Sequence, residues 1–290
     1  MSATSGPIGR RTATGRRGET IWRVVIYAVL TFFAVQTVYP ILWMIFGSLK
    51  TNDDLFTNIW GPPRILQWGN YAEAWQIGSL GTRISNSLLV TAASLALLLV
   101  VATPAAYAIA RMALPGGRAI FLAILAMMMV PAQTTVIPLF LIVRELGLLN
   151  SRLGLVLVYA ATGAAFSIFV LRSFFLSIPT ELEDAALCDG ANRFQAFLHV
   201  VLPLARPGLA TVAIFQGMEI WNEFFLAFIF IRDPERQTIP LGLVEFFSRY
   251  QSEWTLYFAA LTTISLPVIV LYVAMQRQFI QGLTAGALKG

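Results

Sequence analysis

The chain has 290 residues, of which 57% are hydrophobic and 12% charged, whereas soluble domains carry about 25% charged residues. Its mean hydropathy of +0.72 marks a membrane protein, and the net charge of +5 lies in residues that flank apolar stretches rather than in one basic face, which excludes nucleic-acid binding. One cysteine, Cys188, excludes an intrachain disulfide, and one histidine, His199, excludes a metal centre built from Cys and His.

Residues 1–20 are Gly, Ser, Thr and Arg with little that is apolar, and are expected to form a disordered basic tail. The pairs Arg10-Arg11 and Arg16-Arg17 invite a twin-arginine export reading, but the apolar stretch that follows is too long for a signal peptide and has no cleavage site. Residues 21–49 read as a first transmembrane helix. Residues 50–83 read as an external segment, whose Trp60, Trp68, Tyr71, Trp75 and Pro62-Pro63 suit either an aromatic belt or a partner-facing surface.

Residues 84–276 hold five further apolar stretches near the ~20 residues a bilayer needs: 84–108, 119–143, 153–176, 209–231 and 258–275. Pro104, Pro131, Pro138 and Pro267 fall inside them, either as bends that move or as static kinks. Residues 232–255 read as a short structured loop, and 277–290 as a C-terminal tail. The fold class is therefore an all-α polytopic membrane protein with six transmembrane helices and both termini on one side. Twelve Lys and Arg residues lie on the side of the termini and eight on the other, which predicts cytoplasmic N- and C-termini.

One stretch, 177–207, does not belong in lipid. Thr180 and Glu183 have the spacing of a capping box, and Glu181, Glu183 and Asp184 load the first turn of a short helix with negative charge. Gly190 sits where the chain leaves that helix. Asn192 is a fair N-cap for a second helix with Gln195 three residues on, and Phe194, Phe197, Leu198, Val201 and Leu202 form one apolar stripe on it. Pro203 and Pro207 are expected to end it. A capped helix, a turn and an amphipathic helix between two spans make either a docking element or a helix lying on the bilayer.

Glu219 and Glu223 are acidic residues inside a span, four apart and so on one helical face. A charge near mid-membrane costs at least ~2.5 kcal/mol and persists where it faces a cavity or a partner. With Trp221, Asn222 and, on the third span, Gln133, they offer the hydroxyl-binding groups and stacking face of a sugar path, or else a polar lock between helices. No P-loop is present: Lys50-Thr51 lacks the preceding glycine, and Lys289 is followed by Gly290. The chain is not expected to hydrolyse ATP or to be an enzyme.

The run Asp184-Ala185-Ala186, three residues, Gly190, nine residues, Val200, one residue, Leu202-Pro203 resembles the EAA loop of binding-protein-dependent ABC importer permeases. Asp184 stands where that family usually has Glu, and Val200 where it usually has Ile. Ser48 to Phe56 with Asn70-Tyr71, Trp221-Asn222-Glu223-Phe224, and the run Gln281 to Gly290 resemble the maltose-type and multiple-sugar branch.

The resemblance implies a type I ABC importer transmembrane fold in a bacterial or archaeal cytoplasmic membrane. It implies an ATPase-coupling loop of Glu183, Asp184, Ala185, Ala186, Asp189, Gly190, Ala191, Phe194, Phe197, Leu202 and Pro203. Implied partners are a second permease in a heterodimer, two ATPase subunits that bind ATP and Mg, and an external solute-binding protein, with lipid around the spans. The alternative is a secondary transporter using Glu219 and Glu223 as cation or proton sites.

Overall fold

The computed structural model describes residues 13–249 and 252–287, and among them every regular element is helical. In chain order these are α1 Ala13–Ser48, α2 Asn52–Thr57, α3 Gly69–Ile77, α4 Leu80–Arg111, α5 Gly117–Met128, α6 Val136–Glu145 and α7 Arg152–Ser177. There follow α8 Glu181–Cys188, α9 Arg193–Ala196, α10 Leu202–Leu204, α11 Arg206–Asn222, α12 Phe225–Phe230, α13 Ile239–Arg249 and α14 Trp254–Ala287. A π-helical turn, Phe197–Val201, joins α9 to α10.

Stretches of α1, α4 and α7 (Trp22–Ser48, Leu80–Arg111 and Arg152–Ser177) are each long and apolar enough to cross a membrane. Two bent pairs would raise that number to five, and Trp254–Val270 is a shorter apolar helix. The 119–143 stretch is not one straight span: α5 and the segment Gln133–Glu145 meet at 98°. Pro131 stands at the break, where its missing N–H and its clash with Val130 oppose a continuing helix. Pro104 and Pro267, by contrast, lie inside continuous helices.

The expected tail 1–20 is helical from Ala13 onward, and residues 1–12 lie outside the described ones. Once the apolar helix is nucleated each added residue gains a hydrogen bond, and Arg16, Arg17 and Glu19 are good helix formers. For the same reason α14 runs through the expected tail as far as Ala287, and 288–290 lie outside the described residues.

The principal packing is α4 against α7, with α11 laid across both. Small residues let the backbones approach: Ala102, Ala106 and Ala160 are buried with Leu98, Leu171 and Phe175 in one cluster toward the 177–207 end. Val90, Leu155, Val158, Ile220 and Phe230 form a second cluster toward the opposite end.

At that opposite end the connecting segments are tied to the bundle by buried polar side chains. Arg83, at the start of α4, donates to the Gly242 carbonyl at 2.7 Å and pairs with Glu245 at 3.1 Å, which holds α13 down. Asn86 donates to the carbonyls of Glu235 and Gln237. The turn after α1 is closed by Asn70, whose amide donates to the carbonyls of Ser48 at 2.8 Å and Lys50 at 2.9 Å, while Lys50, fully buried, donates to the Asn58 carbonyl. Ser48 and Tyr71 share a 2.6 Å hydroxyl contact. The sequence-distant runs 48–56 and 70–71 are thus one structural unit.

Candidate functional site

The loop between α7 and α11 is built on the last turn of α4. Arg111 donates to the carbonyls of Phe175, at 2.7 Å, and Ile178, placing a cation on the C-terminal carbonyls of α7. The same guanidinium lies 4.0 Å from the Glu183 carboxylate, which also accepts from the Tyr107 hydroxyl. These contacts correct the expected capping box: Thr180 makes no side-chain cap, because Glu183 is drawn inward to two partners on α4 rather than back along its own helix. Neither Tyr107 nor Arg111 carries a local sequence signal of this role.

Helix α8 ends as expected at Gly190, whose φ of +89° is left-handed, and the Ala191 N–H closes it onto the Ala186 carbonyl at 3.0 Å. The expected Asn192 cap does form, and it is a capping box: the Asn192 side chain accepts from the Gln195 N–H and the Gln195 side chain from the Asn192 N–H, each at 2.9 Å. His199 is exposed beside the Gln195 carbonyl.

The expected apolar stripe is divided. Phe197 and Val201 are buried, with the Phe197 ring 4.6 Å from Tyr107 and 6.4 Å from Phe175. Phe194 is 67% exposed and Leu198 is exposed too, because the ends of α4 and α7 offer room for only part of the stripe. Pro203 does not end the helix, since it falls inside α10; the chain bends by 69° around Ala205, and Pro207 opens α11. The loop therefore has two faces. Glu183, Phe197 and Val201 anchor it, with Ala186, Ala191, Leu202 and Pro203 half-buried. Leu182, Asp184, Ala185, Cys188, Asp189, Gly190, Phe194 and Leu198 are exposed.

The fifth expected span, 209–231, is also broken. Helix α11 stops at Asn222, and Glu223 has the extended conformation, φ −71° and ψ 122°. Glu219 and Glu223 therefore do not share a helical face. The Glu223 carboxylate accepts from the Tyr159 hydroxyl at 2.7 Å and from the N–H groups of Leu226 at 2.8 Å and Ala227 at 3.1 Å. It caps the helix beyond the break, which explains why the break falls here: an acid can satisfy amides that lipid cannot. Glu219 is exposed and accepts from Gln216 at 3.1 Å.

Trp221 and Asn222 line a largely apolar cleft of about 300 Å³ between α4, α11 and α14, with Thr91, Leu95, Gly217 and Pro267 among its walls. Gln133, exposed in the turn between α5 and α6, is not on that wall, and neither is Glu219. The residues singled out for a path are thus distributed over several surfaces rather than gathered into one pocket. Among the described residues, no group of three His, Cys, Asp or Glu side chains could hold a metal ion.

Residues 102–285 match the family model described as "Binding-protein-dependent transport system inner membrane component". The chain is 35% identical over 275 residues to the "Probable ABC transporter permease protein YurM" of Bacillus subtilis, covering 95% of this chain and 91% of that protein. It is 33% identical over 267 residues to the diacetylchitobiose uptake system permease protein NgcG of Streptomyces coelicolor, covering 91% and 88%. Among solved structures it superposes with TM-score 0.78 and 27% identity on a chain of a bacterial ABC transporter involved in the import of the acidic polysaccharide alginate, covering 94% of this chain and 99% of that one.

Proposed function

The chain belongs to the family of binding-protein-dependent transport system inner membrane components, and on that premise we propose that it is the permease subunit of an ATP-driven importer of a sugar or oligosaccharide. The import of sugars by its relatives supports the substrate class. The secondary-transporter alternative lacks support, since the Glu223 carboxylate already has three donors on it.

The observation that carries the coupling role is the two-faced loop. Its buried face is fixed to α4 by Tyr107, Arg111 and Phe197. Its other face presents Leu182, Phe194 and Leu198 beside Asp184 and Asp189, an apolar surface with an acidic margin. A surface held this firmly passes on a push instead of absorbing it. In this reading the ATPase subunits, which carry ATP and Mg, grip that face, and their closure drives α7 and α11. A second permease completes the membrane unit as a heterodimer, and a solute-binding protein delivers sugar at the opposite end. Six crossings, with the termini and the loop in the cytoplasm of a bacterial or archaeal cell, complete the proposal.

For the substrate path, Trp221 and Asn222 offer a stacking face and an amide on one cleft, and Glu219 and Gln133 are exposed polar groups. Affinity purification of the chain from its native membranes tests the assignment. A P-loop ATPase and a solute-binding protein should come with it.

A further inference from the structure

The helices that enter and leave the loop, α7 and α11, run antiparallel, and a series of contacts joins them from the loop as far as Glu223. Nearest the loop, the Phe174 ring lies over Gly208. Farther on, Phe166 and Phe215 have ring centroids 6.1 Å apart. Next, Gly163 makes room for the buried Gln216: a Cβ at 163 would stand 2.3 Å from its Oε1. At the far end the Tyr159 hydroxyl donates to Glu223 at 2.7 Å. Beyond Asn222 the chain leaves this pairing, and α12 packs against α6 and α7, with Phe230 and Phe140 stacked at 6.2 Å.

Glu223 is where these parts meet. Its extended backbone ends α11, and its carboxylate binds α7 through Tyr159 and caps α12 through two backbone N–H groups. A hydrogen bond to an ionised group is about twice as strong as a neutral one, and stronger again away from water. Without it, the first amides of α12 would be left unsatisfied at membrane depth, and the far end of α11 would lose its polar tie to α7.

We propose that Tyr159 and Glu223 are positioning residues that clasp α7 and α11 into one rigid lever, so that a displacement of the loop reaches the opposite end of the helices undiminished. The proposal rests on the permease reading, and it takes Glu223 off the substrate path. Tyr159→Phe deletes one hydroxyl and keeps the ring, and Glu223→Gln keeps the shape but loses an acceptor.

The test uses the purified complex in proteoliposomes, with its ATPase and solute-binding protein and a mixture of disaccharides. Stimulation of ATP hydrolysis by the binding protein reports the signal that crosses the membrane. Both variants should lose about tenfold of that stimulation, the equivalent of one charge-assisted hydrogen bond, at unchanged complex yield. The double variant should fall no further than Glu223→Gln alone. If Glu223→Gln fails to assemble, Tyr159→Phe still decides. Wild-type stimulation in Tyr159→Phe, whether or not its melting temperature falls, would reduce the contact to a static lock and overturn the clasp. A wild-type complex with no ATP hydrolysis at all would instead overturn the permease reading.

Discussion

The Tyr107 hydroxyl donates to the Glu183 carboxylate, so the last turn of α4 holds the helix that opens the loop. The same tyrosine packs its ring on Phe197, 4.6 Å between centroids, and so touches both helices of the loop. Tyr107→Phe keeps the packing and removes the bond, with an expected loss of about 1.5–3 kcal/mol for a hydrogen bond to a charged group. Phe197→Ala empties a buried ring site and should cost about 3–5 kcal/mol. Thermal melting of the purified chain should rank Phe197→Ala as the less stable of the two.

The exposed face should behave in the opposite way. Phe194→Asp changes a side chain that is 67% exposed, and its effect on stability should stay within about 0.5 kcal/mol. The ATPase should nevertheless be lost from the purified complex. Retention of the ATPase at wild-type yield would remove Phe194 from the interface.

Between the two faces lies the turn. Gly190 has φ +89°, which proline cannot adopt, so Gly190→Pro should leave the protein in the membrane with the loop misdirected. Ala186→Asp puts a charge on a half-buried position and should act alike. Membrane yield close to wild type with ATPase co-purification abolished is the expected pattern. Normal co-purification and transport in both variants would take the turn out of the coupling surface.

Cys188 is exposed and is the chain's single thiol, so it reports the side on which the loop lies. A membrane-impermeant maleimide should label inverted vesicles and spare intact cells. Labelling of intact cells would reverse the proposed orientation.

Glu219 separates from Glu223 by its surroundings. It is exposed and accepts from Gln216, three residues away on the same helix, so Glu219→Ala should leave melting within about 0.5 kcal/mol of wild type. If it lines the path, apparent KM for uptake should rise. An unaltered KM with lowered stability would make it a lock between helices.

What could be read from the residues alone was whatever depends on near neighbours in sequence. The apolar runs at α1, α4 and α7 declare themselves, and so do the left-handed Gly190 and the Asn192–Gln195 box, whose partners lie within a few residues. The failures involve distant partners. Thr180 and Glu183 have the right spacing for a cap, but Tyr107 and Arg111 compete for the carboxylate from more than seventy positions away. The break at Glu223 carries no Gly or Pro to announce it; an acid four residues after another looks like a helical pair until Tyr159 is seen beside it. The apolar stripe of the second loop helix was legible as a stripe, but not which half of it the ends of α4 and α7 would cover.

In the proposed importer ATP, not an ion gradient, moves the substrate through this chain. Uptake of labelled oligosaccharides by cells tests it when ATP depletion and proton-gradient collapse are applied separately. ATP depletion should abolish the uptake that requires this chain, and an ionophore at maintained ATP should leave it intact. Uptake that persists without ATP and disappears with the ionophore would show an ion-driven carrier instead.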